Sequence, residues 1–196
     1  MSRIPVNHAR TTPFVELKDL QGLDGADFER VYRVDVIGGF QISRALAALR
    51  RRHPGAGMVN RSPIASMRGH GASLACMARK DALNALTVGL ARALAPEIRV
   101  NAIAPGLVQT PWLPNGLGEQ RCEASVERYT SRAARQAVVF PLDVAAAAWW
   151  LAAGAAKTAG EVLLLDAGFR LGRDRACRVL VGGTLTGIRG WLPRCS

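Results

Sequence analysis

The chain predicts an α/β fold, a parallel sheet covered by helices on both faces. Short apolar runs at residues 57–60, 99–103 and 161–165, bounded by glycine or proline, read as strands. Between them lie segments of helical periodicity, long enough to cross back over a sheet and start the next strand in parallel. The 196 residues, 49% of them apolar, suffice for one domain with a sizeable core.

Residues 1–24 show no periodicity, contain Pro5, Pro13 and Gly22, and read as a loop. Asp24 can cap a helix, and Asp27 places a carboxylate in its first turn. Phe28, Val31, Val34, Ile37, Ala45 and Leu49 recur near helical spacing, which predicts a helix over 27–50. The arginines at 50–52 suit its C-terminus and Pro54 stops it; Gly38 and Gly39 inside it permit close packing. Residues 57–60 form a buried strand. Leu74, Ala78, Ala82, Leu86 and Leu90 share one face of a second long helix, 73–94, which Pro96 ends. Strand 99–103 closes at Pro105-Gly106. Residues 119–134 make a polar helix, and 142–153 a buried Ala/Trp helix with Asp143 near its start. Strand 161–165 stops at Asp166-Ala-Gly168.

Bulk properties narrow the function classes. Formal net charge is +11, and only Lys18, Lys80 and Lys157 of the 26 basic residues are lysines. The arginines are scattered and aromatic residues few, which favours a compositional origin over a nucleic-acid partner. Cys76, Cys122, Cys177 and Cys195 have no metal-ligand spacing, so no metal is expected. The N-terminus lacks the apolar core of a signal peptide. The longest apolar run, 144–156, is too short to span a bilayer. These features predict a soluble cytoplasmic protein with reduced thiols and no membrane partner.

Several motifs occur in a telling order. Val59-Asn60 ends one strand. Lys80 is followed by Asp81-Ala-Leu-Asn-Ala-Leu-Thr87. Arg99-Val-Asn-Ala-Ile-Ala-Pro-Gly106 runs into Leu-Val-Gln-Thr110-Pro, and Gly160-Glu-Val-Leu-Leu-Leu-Asp166 closes the series. Together these resemble the C-terminal two thirds of the short-chain dehydrogenase/reductase family, over residues 6–169. Residues 170–196 fall outside it as a basic extension. The resemblance implies a Rossmann-like, doubly wound parallel sheet, N-terminally truncated, with the family's first three strands and its glycine-rich, pyrophosphate-binding turn missing.

The family moves a hydride between a nicotinamide and a carbonyl or alcohol, so the resemblance implies NAD or NADP as cofactor. In the family, a tyrosine transfers the proton, a lysine one helical turn on favours its phenolate, a serine orients the carbonyl, and an asparagine positions a relay water. Laid over this chain, the lysine is Lys80. The tyrosine falls on Cys76, the serine on Pro63 and the asparagine on Asp35; a shift of one residue would offer Ser62 in place of Pro63. A cysteine is several ångströms shorter than a tyrosine. It could reach the same carbonyl only through a water or a backbone movement. Cofactor contacts are implied for Asn7, Lys80, Pro105, Gly106, Val108 and Thr110, with Asn7-His-Ala-Arg10 standing where the family has Asn-Asn-Ala-Gly. Substrate identity would sit mostly in Pro111-Trp-Leu-Pro-Asn115, after Thr110. Each departure is one base from the family's residue, the pattern of unselected drift.

The extension carries Arg178-Val-Leu-Val-Gly-Gly-Thr-Leu-Thr-Gly187-Ile-Arg-Gly190, an apolar run entering a glycine-rich turn. A remnant of rearrangement, a permuted first strand and a chance match all fit it. Two functional readings stand: a family member that has lost catalysis, and an active NAD(P)-dependent oxidoreductase with an altered site. The family commonly associates through its two long helices, which implies a homo-oligomer through 27–50 and 73–94.

Overall fold

The computed structural model describes residues 5–9, 11–50, 56–62 and 73–172. Four parallel strands, β1 (Val6–Asn7), β2 (Ala56–Arg61), β3 (Ile98–Pro105) and β4 (Val162–Leu165), form one sheet in that order. Val59 aligns with Val6 and with Asn101, and Ala102 aligns with Val162.

One face is covered by a long helical segment and by α3 (Leu74–Leu94). The long segment comprises α1 (Gly25–Tyr32), a π turn (Arg33–Ile37) and α2 (Gly38–Arg50). The expected cap is present: Asp24 Oδ1 accepts from Asp27 N–H (2.9 Å), and Asp27 reaches back to Asp24 N–H (3.4 Å). The expected helix over 27–50 is therefore continuous but widened by the π turn, a distortion that periodicity does not reveal. Ser73 caps α3 by accepting from Cys76 N–H at 3.2 Å. Leu90, Ala91 and Leu94 of α3 pack on Met58, Ile98 and Val100 to form the core of this face.

The other face is covered by α6 (Pro141–Trp149) and a second π turn (Trp150–Gly154). Asp143 Oδ2 accepts from Phe140 N–H at 2.8 Å and starts α6. Ala148, Leu151, Ala152 and Ala155 pack on Val59 and Ile103. Gly57 permits this contact, since a Cβ there would lie 2.6 Å from the Ala152 carbonyl oxygen. The short α4 (Trp112–Leu117) and α5 (Glu119–Arg132) lie between β3 and α6 in the chain.

Two expectations need correction. Residues 1–24 are not all loop, because Val6 and Asn7 form an edge strand. Two residues are too few for a period, and the strand exists through its pairing with Val59 and Asn60 and the Val59 N–H to Pro5 carbonyl bond (3.1 Å). The segment 142–153 is only half buried. Leu151 and Ala152 are in the core, whereas Trp149 is 67% exposed and Trp150 49%.

Candidate functional site

Strand alternation sends neighbouring residues to opposite faces. Val6, His8 and Arg61 point to the α6 face, and Asn7 and Asn60 to the α3 face. On the α6 face the ends of β1 and β2 border an open cavity of about 890 Å3. Its walls include Val6, His8, Arg61, Val108, Thr110 and Trp149. The loop carrying Val108 and Thr110 is braced against residue 139: Gln109 N–H donates to Val139 O (2.9 Å), and Val139 N–H donates to Leu107 O (3.0 Å). Thr110 and Pro111 also border a second cavity of about 610 Å3, walled by Leu113 and by Cys122, Glu123 and Val126 of α5. Val108 and Thr110 thus lie where a ligand can reach them.

Asn7, Pro105 and Gly106 also have defined neighbours within the protein. Asn7 Nδ2 donates to Asn60 Oδ1 (2.7 Å) and to Ser43 Oγ (3.3 Å). Asn60 Nδ2 then donates to Thr87 Oγ1 (2.9 Å), whose hydroxyl donates to the Leu83 carbonyl (2.8 Å). This chain of amides ties β1 to β2 and α3. Pro105 is fully buried. Gly106 is required by Tyr129, whose hydroxyl oxygen lies 1.9 Å from where a Cβ would sit. That hydroxyl donates to the Asp166 carbonyl at 2.7 Å, and the ring stacks on Phe169 at 4.3 Å. Burial pushes the Tyr129 phenol up to about 12; the Asp166 carboxylate adds to the rise and a Leu107 backbone hydrogen bond opposes it.

The expected catalytic positions gather on the α3 face. Cys76 is in the first turn of α3 and 4% exposed; Lys80, one turn on, is 5% exposed. Ser62 is buried, and its hydroxyl donates to the Lys80 carbonyl at 3.2 Å. Asp35 sits in the first π turn, buried. Its carboxylate forms an ion pair with Arg79, itself buried, and Arg79 Nη2 donates to Cys76 Sγ at 3.5 Å. None of Cys76, Lys80, Asp35 and Arg79 lines the 890 Å3 cavity. Pro63, Arg10 and the 178–190 motif lie outside the described residues.

Sequence reasoning missed Arg79, the partner that gives Asp35 its meaning. A signal existed, an acid and a base each set in an otherwise apolar helical face. It also missed His8 and Arg61, which the two-residue strand period places beside each other once Asn7 pairs with Asn60.

A family model described as enoyl-(acyl carrier protein) reductase matches residues 4–170. A ketoacyl reductase assigned to the granaticin polyketide synthase of Streptomyces violaceoruber is 33% identical over 171 residues, 85% of this chain and 65% of that protein. A 3alpha-hydroxysteroid dehydrogenase of Mediterraneibacter gnavus is 32% identical over 149 residues, 74% of this chain and 56% of that protein. Among solved structures, a short-chain dehydrogenase/reductase from Burkholderia xenovorans superposes with a TM-score of 0.77 at 37% identity, over 86% of this chain and 65% of that one. ElxO with NADP bound gives 0.75 at 26% identity, over 86% and 67%. The chain therefore spans about two thirds or less of the proteins it matches. Fold, motif order and these relatives agree: the chain belongs to the short-chain dehydrogenase/reductase family.

Proposed function

We propose that this chain is a short-chain dehydrogenase/reductase-like protein that keeps the nicotinamide-side groove of its family but does not carry out the family's proton transfer. One observation carries the reading. The side chain standing in the tyrosine position, Cys76, is buried under Arg79 on the α3 face, while the groove opens on the α6 face.

The groove suits the nicotinamide end of NAD or NADP. Its volume lies in the range of cofactor sites, and its wall combines the apolar Val108 and Trp149 with the Thr110 hydroxyl. Val108 and Thr110 would hold the ring, which supplies a hydride when bound. Relatives support this choice of cofactor. ElxO has been solved with NADP, and a 3-oxoacyl-[acyl-carrier protein] reductase from Brucella melitensis, 26% identical, with NAD. For proton transfer a donor must lie within about 3 Å of the reacting oxygen or be bridged by one water. Cys76 is shorter than a phenol and turned toward Arg79. The free thiols at Cys76 and Cys122 accord with a reducing, cytoplasmic setting. Exposed Val34, Ile37, Phe40 and Ile42 on the long helical segment, with Val88 on α3, favour association with a second copy.

The alternative, an active oxidoreductase with an altered site, is favoured by the presence of Lys80 one turn from Cys76. NADH and NADPH titrations followed by tryptophan quenching, together with cofactor oxidation across a panel of aldehydes and ketones, separate the two. The expected result is binding without oxidation. Oxidation that disappears in Cys76→Ala or Lys80→Met establishes the alternative.

A further inference from the structure

We infer that Asp35 and Arg79 act as one unit that positions the wall of the groove, although neither residue touches it. Two pins bracket the segment leaving β1. At Asn7, the side-chain amide is held by Asn60 and Ser43 at 2.7 and 3.3 Å. At Thr11, the backbone N–H donates to Asp35 Oδ1 at 3.3 Å. Between them lies His8, on the strand face that lines the cavity.

The second pin depends on Arg79. Asp35 offers one carboxylate oxygen to Thr11 and the other to Arg79, and the side chains of the pair are 3% and 5% exposed. A carboxylate so deeply buried stays ionised only beside an opposite charge. Arg79 is itself fixed by its place in α3 and by its bond to Cys76 Sγ (3.5 Å). Thr11 is thus referred, through Asp35, to the first turns of α3. The π turn contributes by placing Asp35 between loop and helix, a use of helix widening met at functional positions. Asp35 and Arg79 are positioning residues, and they match as a pair. An aspartate alone in the asparagine position would bury a bare charge, and so would the arginine alone.

This inference rests on reading the groove as a ligand site, but its test needs no ligand. Removing Arg79 alone would leave an uncompensated buried charge and unfold part of the chain, so both residues are changed together. Asp35→Leu with Arg79→Met replaces the pair by apolar side chains, a class of exchange that buried ion pairs tolerate. Asp35→Asn with Arg79→Gln keeps an acceptor for Thr11 without the charges. Amide hydrogen exchange is followed at Thr11, with Val59 and Ala102 as core references. In the Leu/Met variant, Thr11 should exchange about tenfold or more faster while the references keep their protection. The Asn/Gln variant should restore slow exchange at Thr11. Unchanged Thr11 exchange in the Leu/Met variant overturns the inference. So does exchange in the Asn/Gln variant as fast as in the Leu/Met variant, or loss of the core references in the Asn/Gln variant. A failure of nicotinamide to bind would count against the proposed function and leave these outcomes as they are.

Discussion

The two faces of this sheet are held by different means. On the α3 face, polar and charged groups pair with one another inside the protein. Asn7, Asn60 and Thr87 form one hydrogen-bonded chain, and Asp35 pairs with Arg79. On the α6 face, alanine and leucine pack against Val59 and Ile103, and the same face opens into the groove. The face that still offers room for a ligand carries His8, Arg61 and Thr110. The α3 face carries the buried Cys76, Lys80, Asp35 and Arg79.

On the α6 face Arg99 ties the end of the helical segment to β3, and removing it is the largest test of the contrast. Arg99 Nη1 donates to the Leu151 and Ala155 carbonyls at 2.8 and 2.7 Å, and Nη2 to the Ala152 carbonyl at 2.8 Å. These acceptors lie at the helix C-terminus, where backbone carbonyls have no partner within the helix. Arg99→Met should cost about 1.5–3 kcal/mol in urea unfolding, the range for hydrogen bonds to a charged group. Fast amide exchange should appear over 150–155 and leave α3 protected. Equal loss on both faces would mean that they are one cooperative unit.

A smaller effect is expected at the end of the strands. Tyr129→Phe removes the hydroxyl bond to the Asp166 carbonyl and should cost about 1 kcal/mol at pH 7. Its sign should reverse in alkali. The folded phenol titrates at about 12, above the ordinary tyrosine value of about 10. The unfolded state therefore releases its proton first, and stability falls as pH rises from 10 toward 12. That alkaline decline should be weaker in Tyr129→Phe, as read by melting curves across this range. An unaltered decline would show that other groups drive it.

Much of this architecture is legible in the chain. The helix starts at Asp24, Ser73 and Asp143 follow from local chemistry, because a cap needs only its own first turn. The three apolar strands follow from their length and their bounding glycine and proline residues. β1 does not, since Val6 and Asn7 become a strand only by pairing with residues more than fifty positions away. Of the candidate site, Cys76 and Asp35 are visible in the sequence as departures from a motif. The partner of Asp35 is not. That Arg79 answers Asp35 requires the π turn and α3 to meet, a tertiary fact without local signature. Gly106 shows the same limit. Its sequence context implies a cofactor contact but does not show the Tyr129 hydroxyl that the structure sets against it.

The central claim is that the residue in the tyrosine position faces the protein interior and not the groove. Native-state alkylation with iodoacetamide, resolved by peptide mass, tests it directly. Cys122, half-buried at the edge of the second cavity, should label readily. Cys76 should remain unlabelled under the same conditions, with or without NADH. Labelling of Cys76 at the rate of Cys122, slowed by NADH, would place its thiol in the cofactor groove and contradict the claim.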